Sequence, residues 1–416
     1  MQNGFIMTNT CRFCDHFLSY TFVDLGVSPL ANSYLKADQI NQMEPFFPLR
    51  AYVCDQCYLV QLPVFQSSEE IFSDYAYFSS FSDSWLRHAE TYVNDVTERF
   101  AFDAQSQVIE IASNDGYLLQ YFQKNGIPVM GIEPAKNVAR VAQKAGIQTL
   151  EKFFSRQTAG ELAQEGKYAD LLIGNNVLAH VPDLNDFVQG MKIILKPHGI
   201  ITMEFPHLLR LMAENQFDTI YHEHFSYFSF TIVNKIFDHH GLRIFDVDEL
   251  PTHGGSLRIY ARHAEDASRE ISDSAKALLK HEAAEGFENL EFYVTFNQKV
   301  QSTKRAILDF LVGAKNRDKT IVGYGAPAKG NTLLNYCGIR SDFIEYTVDR
   351  SPHKQGHFLP GTRIPIHHPD KIKETRPDYV VILPWNLKDE IMHQMAYVKD
   401  WNGKFVTLIP EVRIYS

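Results

Sequence analysis

The sequence predicts an α/β chain of three domains, in which a small cysteine-organised module precedes two separate strand–helix alternations. Three observations carry this. Four of the five cysteines fall in two Cys-x-x-Cys pairs near the N-terminus, Cys11/Cys14 and Cys54/Cys57. Strand-like runs then alternate with helical text from residue 108 to residue 261, as a doubly wound parallel sheet requires. A second, shorter alternation begins at residue 320, after a stretch that reads as long helices. The 416 residues suffice for two or three domains, and 45% hydrophobic with 22% charged residues is ordinary globular composition.

The two cysteine pairs supply four thiolates, enough for a closed tetrahedral zinc site, and the two-residue spacer lets both sulfurs of a pair reach one ion through a tight turn. Disulfides or merely buried thiols are the alternatives. A reducing compartment argues against the first, and the pairing of four cysteines against the second. Four cysteines leave no open coordination position, so the expected metal is structural. Strand-like text adjoins each pair, at Phe17–Val23 and Leu49–Cys54. An aromatic stretch, residues 72–81, leads to a predicted helix over Ser84–Arg99.

The central strands are predicted at Val108–Ala112, Val129–Ile132, Ile147–Leu150, Leu171–Gly174 and Ile200–Glu204, with helices over Gly116–Asn125 and Ala135–Ala145 between the first of them. Arg243–Val247 and Ser256–Ala261, after a helix over Thr231–His240, complete a seven-stranded sheet with a hairpin edge. The turn after the first strand, Glu110-Ile-Ala-Ser-Asn114-Asp115-Gly116, is short enough for a ligand to approach the backbone. It lacks the phosphate-cradling glycine pattern and is acidic, which suits a cationic ligand. Glu133 ends the second strand, where an acid accepts hydrogen bonds from ribose hydroxyls. With Asn175-Asn176-Val-Leu-Ala-His180 after the fourth strand, the set resembles the S-adenosylmethionine-dependent methyltransferase fold. The alternative is that Asp115 and Glu133 only cap helices.

Phe292, Phe296, Val300, Ile307 and Leu311 recur at helical spacing, so residues 265–315 read as a helical connector. Beyond it, Thr320–Tyr324, Phe343–Val348, Tyr379–Leu383 and Phe405–Ile409 read as strands of a smaller Rossmann-like unit. Its first turn carries Gly323-x-Gly325…Lys329-Gly330, in which Lys329 is placed to neutralise a diphosphate. The strand end Leu383-Pro-Trp385-Asn386 lines the cleft toward the central domain.

Tyr221-His222-Glu223-His224-Phe225-Ser226-Tyr227 gathers two His, one Glu and two Tyr just after the fifth strand. The spacing is not that of a helical zinc motif. General acid–base work is the better assignment, because His titrates near neutrality and a neighbouring carboxylate tunes or orients it.

The net charge is −10, and no basic block of the kind a nucleic acid needs is present. No run of about 18 apolar residues and no signal-peptide pattern appears, so neither nucleic acid nor membrane is expected as a partner and a cytoplasmic protein is.

Taken in order, these segments resemble the nucleotide-sugar C-methyltransferases. The resemblance runs through the Cys pairs with Leu25–Asn32 between them, Asp74–Ser80, Glu110–Gly116, Asn175–His180, Tyr221–His224, His253–Arg258 and Gly323–Asn331. It implies a zinc-binding domain over residues 1–83, an S-adenosylmethionine-dependent methyltransferase domain over 84–264, the helical connector, and a Rossmann-like nucleotide-sugar domain over 316–416. It implies methylation at C3 of a nucleotide-linked 4-keto-6-deoxysugar, the ketone acidifying the C3 hydrogen so that a base generates an enolate. His224 is the expected base, tuned by Glu223. Tyr221 and Tyr77 are placed near the sugar or enolate, with Tyr75 an alternative to Tyr77, and His180 contacts substrate or orients the site. Glu110, Asn114, Asp115, Gly116, Glu133 and Asn175 are expected at the methyl donor; Tyr75, Lys329, Asn331, Arg258 and Asn386 at the nucleotide sugar. An O- or N-methyltransferase of another small metabolite, or a non-catalytic zinc-organised binding module, is the competing class.

Overall fold

The computed structural model describes residues 9–67 and 79–416. Three sheets organise them. The first has four antiparallel strands in the order Tyr20–Ser28, Phe47–Val53, Val60–Gln61 and Ser226–Tyr227. Its last strand comes from the segment immediately after His224, so the N-terminal module is hydrogen-bonded into the stretch that carries the histidine cluster. The strand anticipated at Phe17–Val23 begins at Tyr20 instead. Residues 11–16 before it fold into a Cys-containing turn, closed by Asp15 N–H donating to the Cys11 carbonyl at 2.9 Å.

The central sheet has seven strands in the spatial order Leu242–Leu250, Ser256–His263, Leu195–Pro206, Ala169–Asn175, Val108–Ile111, Val129–Ile132 and Thr149–Leu150. Five run parallel, and Ser256–His263 of the edge hairpin is antiparallel to both its neighbours. The chain order reverses between Val108–Ile111 and Ala169–Asn175, the switch point at which such sheets bind ligands beyond the strand carboxyl ends. These strands are buried on both faces and are accordingly rich in Ile, Leu and Val.

The helix expected over Gly116–Asn125 spans only Leu119–Lys124. The preceding turn places Ala112, Asn114 and Gly116 at φ of 56°, 50° and 80°, which a right-handed helix excludes. Glycine is required at the last of these: a Cβ on Gly116 would stand 2.3 Å from Ile147 Cδ1.

Helices Asp273–Glu285, Leu290–Val294 and Phe296–Lys315 connect to the third sheet. Their apolar stripe, Phe296, Val300, Ile307 and Leu311, is buried in a core shared by the N-terminal and C-terminal modules. That sheet has the order Ile366–His367, Thr347–Val348, Ile321–Tyr324, Tyr379–Ile382, Lys404–Thr407 and Arg413–Tyr415, parallel except for its last strand. Among the described residues no helix is long and apolar enough to cross a membrane.

Candidate active site and its metal and methyl-donor neighbours

The four N-terminal cysteines converge. Their sulfurs all lie within 4.8 Å of one another, with Cys11–Cys57 and Cys14–Cys54 each at 3.5 Å. The two knuckles are built alike: the residue after the second cysteine of each pair, Asp15 and Tyr58, takes positive φ, and its N–H donates back to the carbonyl of Cys11 or Cys54. Gln61 Nε2 donates to Cys11 Sγ at 3.2 Å, a support of the kind that orients thiolate ligands. An all-thiolate tetrahedron of this size fits zinc, and the donor set is closed, which makes the metal architectural.

At the switch point Glu110, Asp115 and Glu133 lie close together. Glu133 accepts from the Asn114 N–H at 2.9 Å and the Ala135 N–H at 2.8 Å, so it shapes the turn, and each oxygen keeps a second lone pair for a ribose hydroxyl. Asn114 and Asp115 side chains accept from the N–H groups of Ser79 and Ser80 at 3.0 and 3.2 Å. Glu110 is buried. Desolvation first, then the charges of Glu133 and Asp115, raise its pKa well above the usual carboxylate value. Buried oxygens of Glu110, Asp115, Asn175 and Asn176 lack a well-directed hydrogen bond among the described residues. Crowded carboxylates with unspent acceptors suit a cation with N–H and O–H donors, so these residues fit S-adenosylmethionine. Gly116 serves by yielding space rather than by contact.

The histidine cluster assembles where all three modules meet. His224 Nδ1 donates to the Thr219 carbonyl at 2.9 Å, which in the neutral ring leaves the lone pair on Nε2. His180 Nδ1 donates to the Glu223 carbonyl at 2.7 Å, and the two imidazoles meet edge-on with centroids 4.8 Å apart. The Tyr221 ring lies 4.1 Å from that of His224. Burial, then the His180 charge, depresses the His224 pKa well below 6.5, and burial takes His180 down to about 4. Both imidazoles are therefore neutral near pH 7. His222, by contrast, donates to the Pro48 carbonyl at 3.1 Å between Phe47 and Phe65, a packing role.

Glu223, expected to tune His224, has its side-chain hydrogen bond elsewhere. The Glu223 carboxylate accepts from Asn32 Nδ2 at 2.7 Å. Adjacent residues in this turn point to different sides, so it is the backbone carbonyls of Thr219 and Glu223 that orient the two imidazoles. Burial lifts the Glu223 pKa to about 7.

The remaining expected residues separate into groups. Lys329 Nζ donates to Asn386 Oδ1 at 2.9 Å and stands 4.6 Å from the Trp385 ring centroid. Asn331 Nδ2 donates to the Ala31 carbonyl, so it ties the C-terminal module to the N-terminal one, and its Oδ1 has no partner among the described residues. The Arg258 guanidinium is bound to Glu204 Oε2 at 2.7 Å and packs over Tyr92. It braces the sheet edge, because a buried Glu204 demands a counter-charge, and its Nε has no partner among the described residues. Tyr75 and Tyr77 lie outside the described residues.

Several participants gave little sequence signal. Asp218 is an isolated polar residue whose contact with Trp385 is long-range, and Thr219 acts on His224 through its backbone carbonyl. Asn32 closes the Leu25–Asn32 segment without a sequence cue to its partner Glu223. His253 at positive φ lies edge-on to Trp85 at 5.2 Å, and Trp85 stacks on His88, which binds Glu204 at 2.9 Å. Only the His253 motif was available to find that network.

Comparisons with known proteins agree with this geometry. Three family descriptions match in chain order: "Putative zinc binding domain" over residues 11–72, "Methyltransferase domain" over 85–247 and "C-methyltransferase C-terminal domain" over 251–410. The C-methyltransferase NovU of Streptomyces niveus is 35% identical over 416 residues, 100% of this chain and 99% of that protein. The ubiquinone biosynthesis O-methyltransferase of Bartonella tribocorum is 29% identical over 96 residues, covering 23% of this chain and 39% of that protein. A SAM-dependent methyltransferase structure from Anabaena variabilis is 16% identical, with TM-score 0.35, covering 41% of this chain and 83% of that one. With a closed thiolate site, an acidic donor pocket and a histidine cluster arranged along a chain that matches NovU from end to end, the protein belongs to the C-methyltransferases, as an S-adenosylmethionine-dependent enzyme with a structural zinc domain.

Proposed function

We propose that the protein methylates C3 of a nucleotide-linked 4-keto-6-deoxysugar, as a cytoplasmic step in deoxysugar biosynthesis. One observation carries the reading: His224, its Nδ1 proton fixed on Thr219 and its Nε2 lone pair unprotonated, sits beside His180 and Tyr221 at the junction of the three modules. A carbon acid needs such a base, and the ketone at C4 supplies the acidity.

S-Adenosylmethionine, when bound at Glu110, Asp115, Glu133 and Asn175, supplies an electrophilic methyl group on a sulfonium. The rest of the chemistry belongs to the chain. His224 Nε2 takes the C3 proton, and the C3–H electron pair moves into the C3–C4 bond as charge collects on the C4 oxygen. Carbon C3 is then the nucleophile that accepts the methyl group. His180, held by the Glu223 carbonyl, keeps the His224 ring in place, and its own low pKa keeps it from adding a positive charge beside the base. The Tyr221 hydroxyl is a donor to the sugar. The nucleotide lies toward the C-terminal sheet, where Asn386 borders the junction.

The test is incubation with S-adenosylmethionine and a panel of nucleotide 4-keto-6-deoxysugars, read by mass and proton spectra. A product heavier by one methyl group, carbon-bound and lacking the original C3 proton, is expected. A methyl group on oxygen or nitrogen with C3–H retained would instead establish the O- or N-methyltransferase reading.

A further inference from the structure

The Lys329 ammonium is partly buried where the C-terminal module borders the histidine cluster. Its only hydrogen-bond partner among the described residues is the neutral Asn386 Oδ1 at 2.9 Å, so two of its three N–H donors remain available. Beneath it lies the Trp385 ring, 4.6 Å from Nζ. Trp385 is itself wedged between two elements of the catalytic cluster. Its indole Nε1 donates to Asp218 Oδ2 at 2.8 Å, and Asp218 adjoins Thr219, the residue whose carbonyl orients His224. On its other side a Cβ at Gly254 would stand 2.5 Å from the Trp385 ring, so the His253–Gly254 turn packs directly on it. The C-terminal module thus carries Lys329 toward the turn that holds His224, on an aromatic platform clamped by Asp218 and by the His253 turn. Asp218 is fully buried, and its Oδ1 has no partner among the described residues. Among the described residues no carboxylate oxygen comes within ion-pair distance of Nζ, so Asp218 sustains the ammonium charge from a distance without neutralising it.

The field of Lys329 is felt where the chemistry occurs. Its charge contributes to the depressed pKa values of His224 and His253, and it opposes the burial that raises Asp218 to about 6. Burial in turn lowers the Lys329 pKa. A partly buried cation with free donors, seated on Trp385 and felt electrostatically at His224, is what a developing oxyanion there requires.

We infer that Lys329 is a catalytic residue that donates a hydrogen bond to the C4 oxygen of the ketosugar and stabilises the negative charge formed there as His224 removes the C3 proton. This rests on the C3-methylation reading above. The balance is simple: the C3–H bond breaks, its proton goes to His224 Nε2, its electron pair forms the C3=C4 bond, and the carbonyl electrons move onto O4, against Lys329. The C4 oxygen is favoured over the diphosphate because O4 is two bonds from C3 and receives the charge formed there, whereas the nearest diphosphate oxygen, on C1, is three bonds from C3 and its charge does not change in the step.

The experiment measures C3 hydrogen–deuterium exchange of the ketosugar in D2O with S-adenosylhomocysteine bound, alongside steady-state methylation, for wild type, Lys329→Met, Lys329→Gln and Lys329→Arg. Binding of nucleoside diphosphates lacking the sugar is measured on the same proteins. For Lys329→Met, exchange and kcat fall together by about 10²–10³-fold, the range for loss of an oxyanion donor. KM and nucleoside-diphosphate affinity stay within about threefold, Lys329→Gln loses less, and Lys329→Arg recovers part of the rate. An unchanged thermal shift with S-adenosylmethionine verifies folding, and Lys329→Gln stands in if the Met protein does not fold. Loss of nucleoside-diphosphate affinity or a raised KM, with exchange retained, overturns the inference and makes Lys329 a phosphate ligand. Wild type that neither exchanges nor methylates any panel ketosugar overturns the C3 reading itself, before any variant is compared.

Discussion

Replacing Glu223 by Gln gives a stability change whose sign depends on pH. Glu223 is 5% exposed, accepts from Asn32 Nδ2, and is raised by burial from the usual 4.5 to about 7, the Asn32 hydrogen bond opposing the rise. The folded chain therefore holds a proton on this group over a range in which the unfolded chain has released it. Stability from the group is fully present below about pH 4.5 and is lost as pH rises through about 7. At 1.36 kcal/mol per pH unit, the gap amounts to about 3 kcal/mol. Gln has the same shape, stays neutral throughout and keeps a carbonyl oxygen for Asn32. Glu223→Gln should thus be more stable than wild type by up to about 3 kcal/mol at pH 8, with the difference shrinking toward zero by pH 4.5. His180 and His253, both depressed to about 4, act in the opposite direction: their stability is present above about pH 6.5 and lost as pH falls toward 4. They are common to both proteins and cancel in the comparison. Urea unfolding of the two proteins at several pH values between 5 and 8 measures this, as a midpoint shift at constant slope. A difference independent of pH, or a variant less stable than wild type at pH 8, refutes the reasoning.

His224→Asn should lower kcat by about 10²–10⁴-fold while leaving the thermal shift with S-adenosylmethionine intact; normal methylation by this variant removes His224 as the base. Because burial holds the His224 pKa well below 6.5, the acid limb of wild-type kcat should fall on the acid side of the ordinary histidine range, and a pH–rate profile with its limb at or above 6.5 contradicts the assignment. Cys54→Ser should abolish stoichiometric zinc in elemental analysis and lower the melting temperature, since the remaining thiolates no longer close the site; full zinc content in that variant argues against the four-cysteine ligand set. Glu282→Ala should destabilise by about 3–5 kcal/mol. Its carboxylate receives His207 Nε2, the N–H groups of Phe230 and Thr231, and the Thr231 hydroxyl, all at 2.6–2.7 Å in the interior, and calorimetry checks the loss.

Much was legible in the sequence wherever information is local. The Cys-x-x-Cys spacing defines a knuckle by itself, because two residues are all the turn needs, and both knuckles meet at one site. The seven-stranded sheet and its hairpin edge follow from period and turn residues, and they appear within a few residues of the expected ends. The turn at Glu110–Gly116 was the exception: apolar Tyr117-Leu118-Leu119 reads as helix, yet three positive φ values delay the helix start to Leu119.

The amino-acid sequence by itself determined the α/β class with its Rossmann-like methyltransferase sheet and the four-cysteine zinc site. Only the tertiary structure decided what each side chain faces. Side chains adjacent in a turn diverge, so Glu223 turns to Asn32 while its carbonyl holds His180. Arg258, attractive as a free cation in a short motif, is claimed by Glu204 because a buried carboxylate must be compensated. Trp385 lies more than 100 residues from Asp218 along the chain, yet its indole Nε1 donates to Asp218 and its ring packs on the Gly254 turn. Such contacts arise from the packing of one module on another, and the sequence records the residues without recording their meeting.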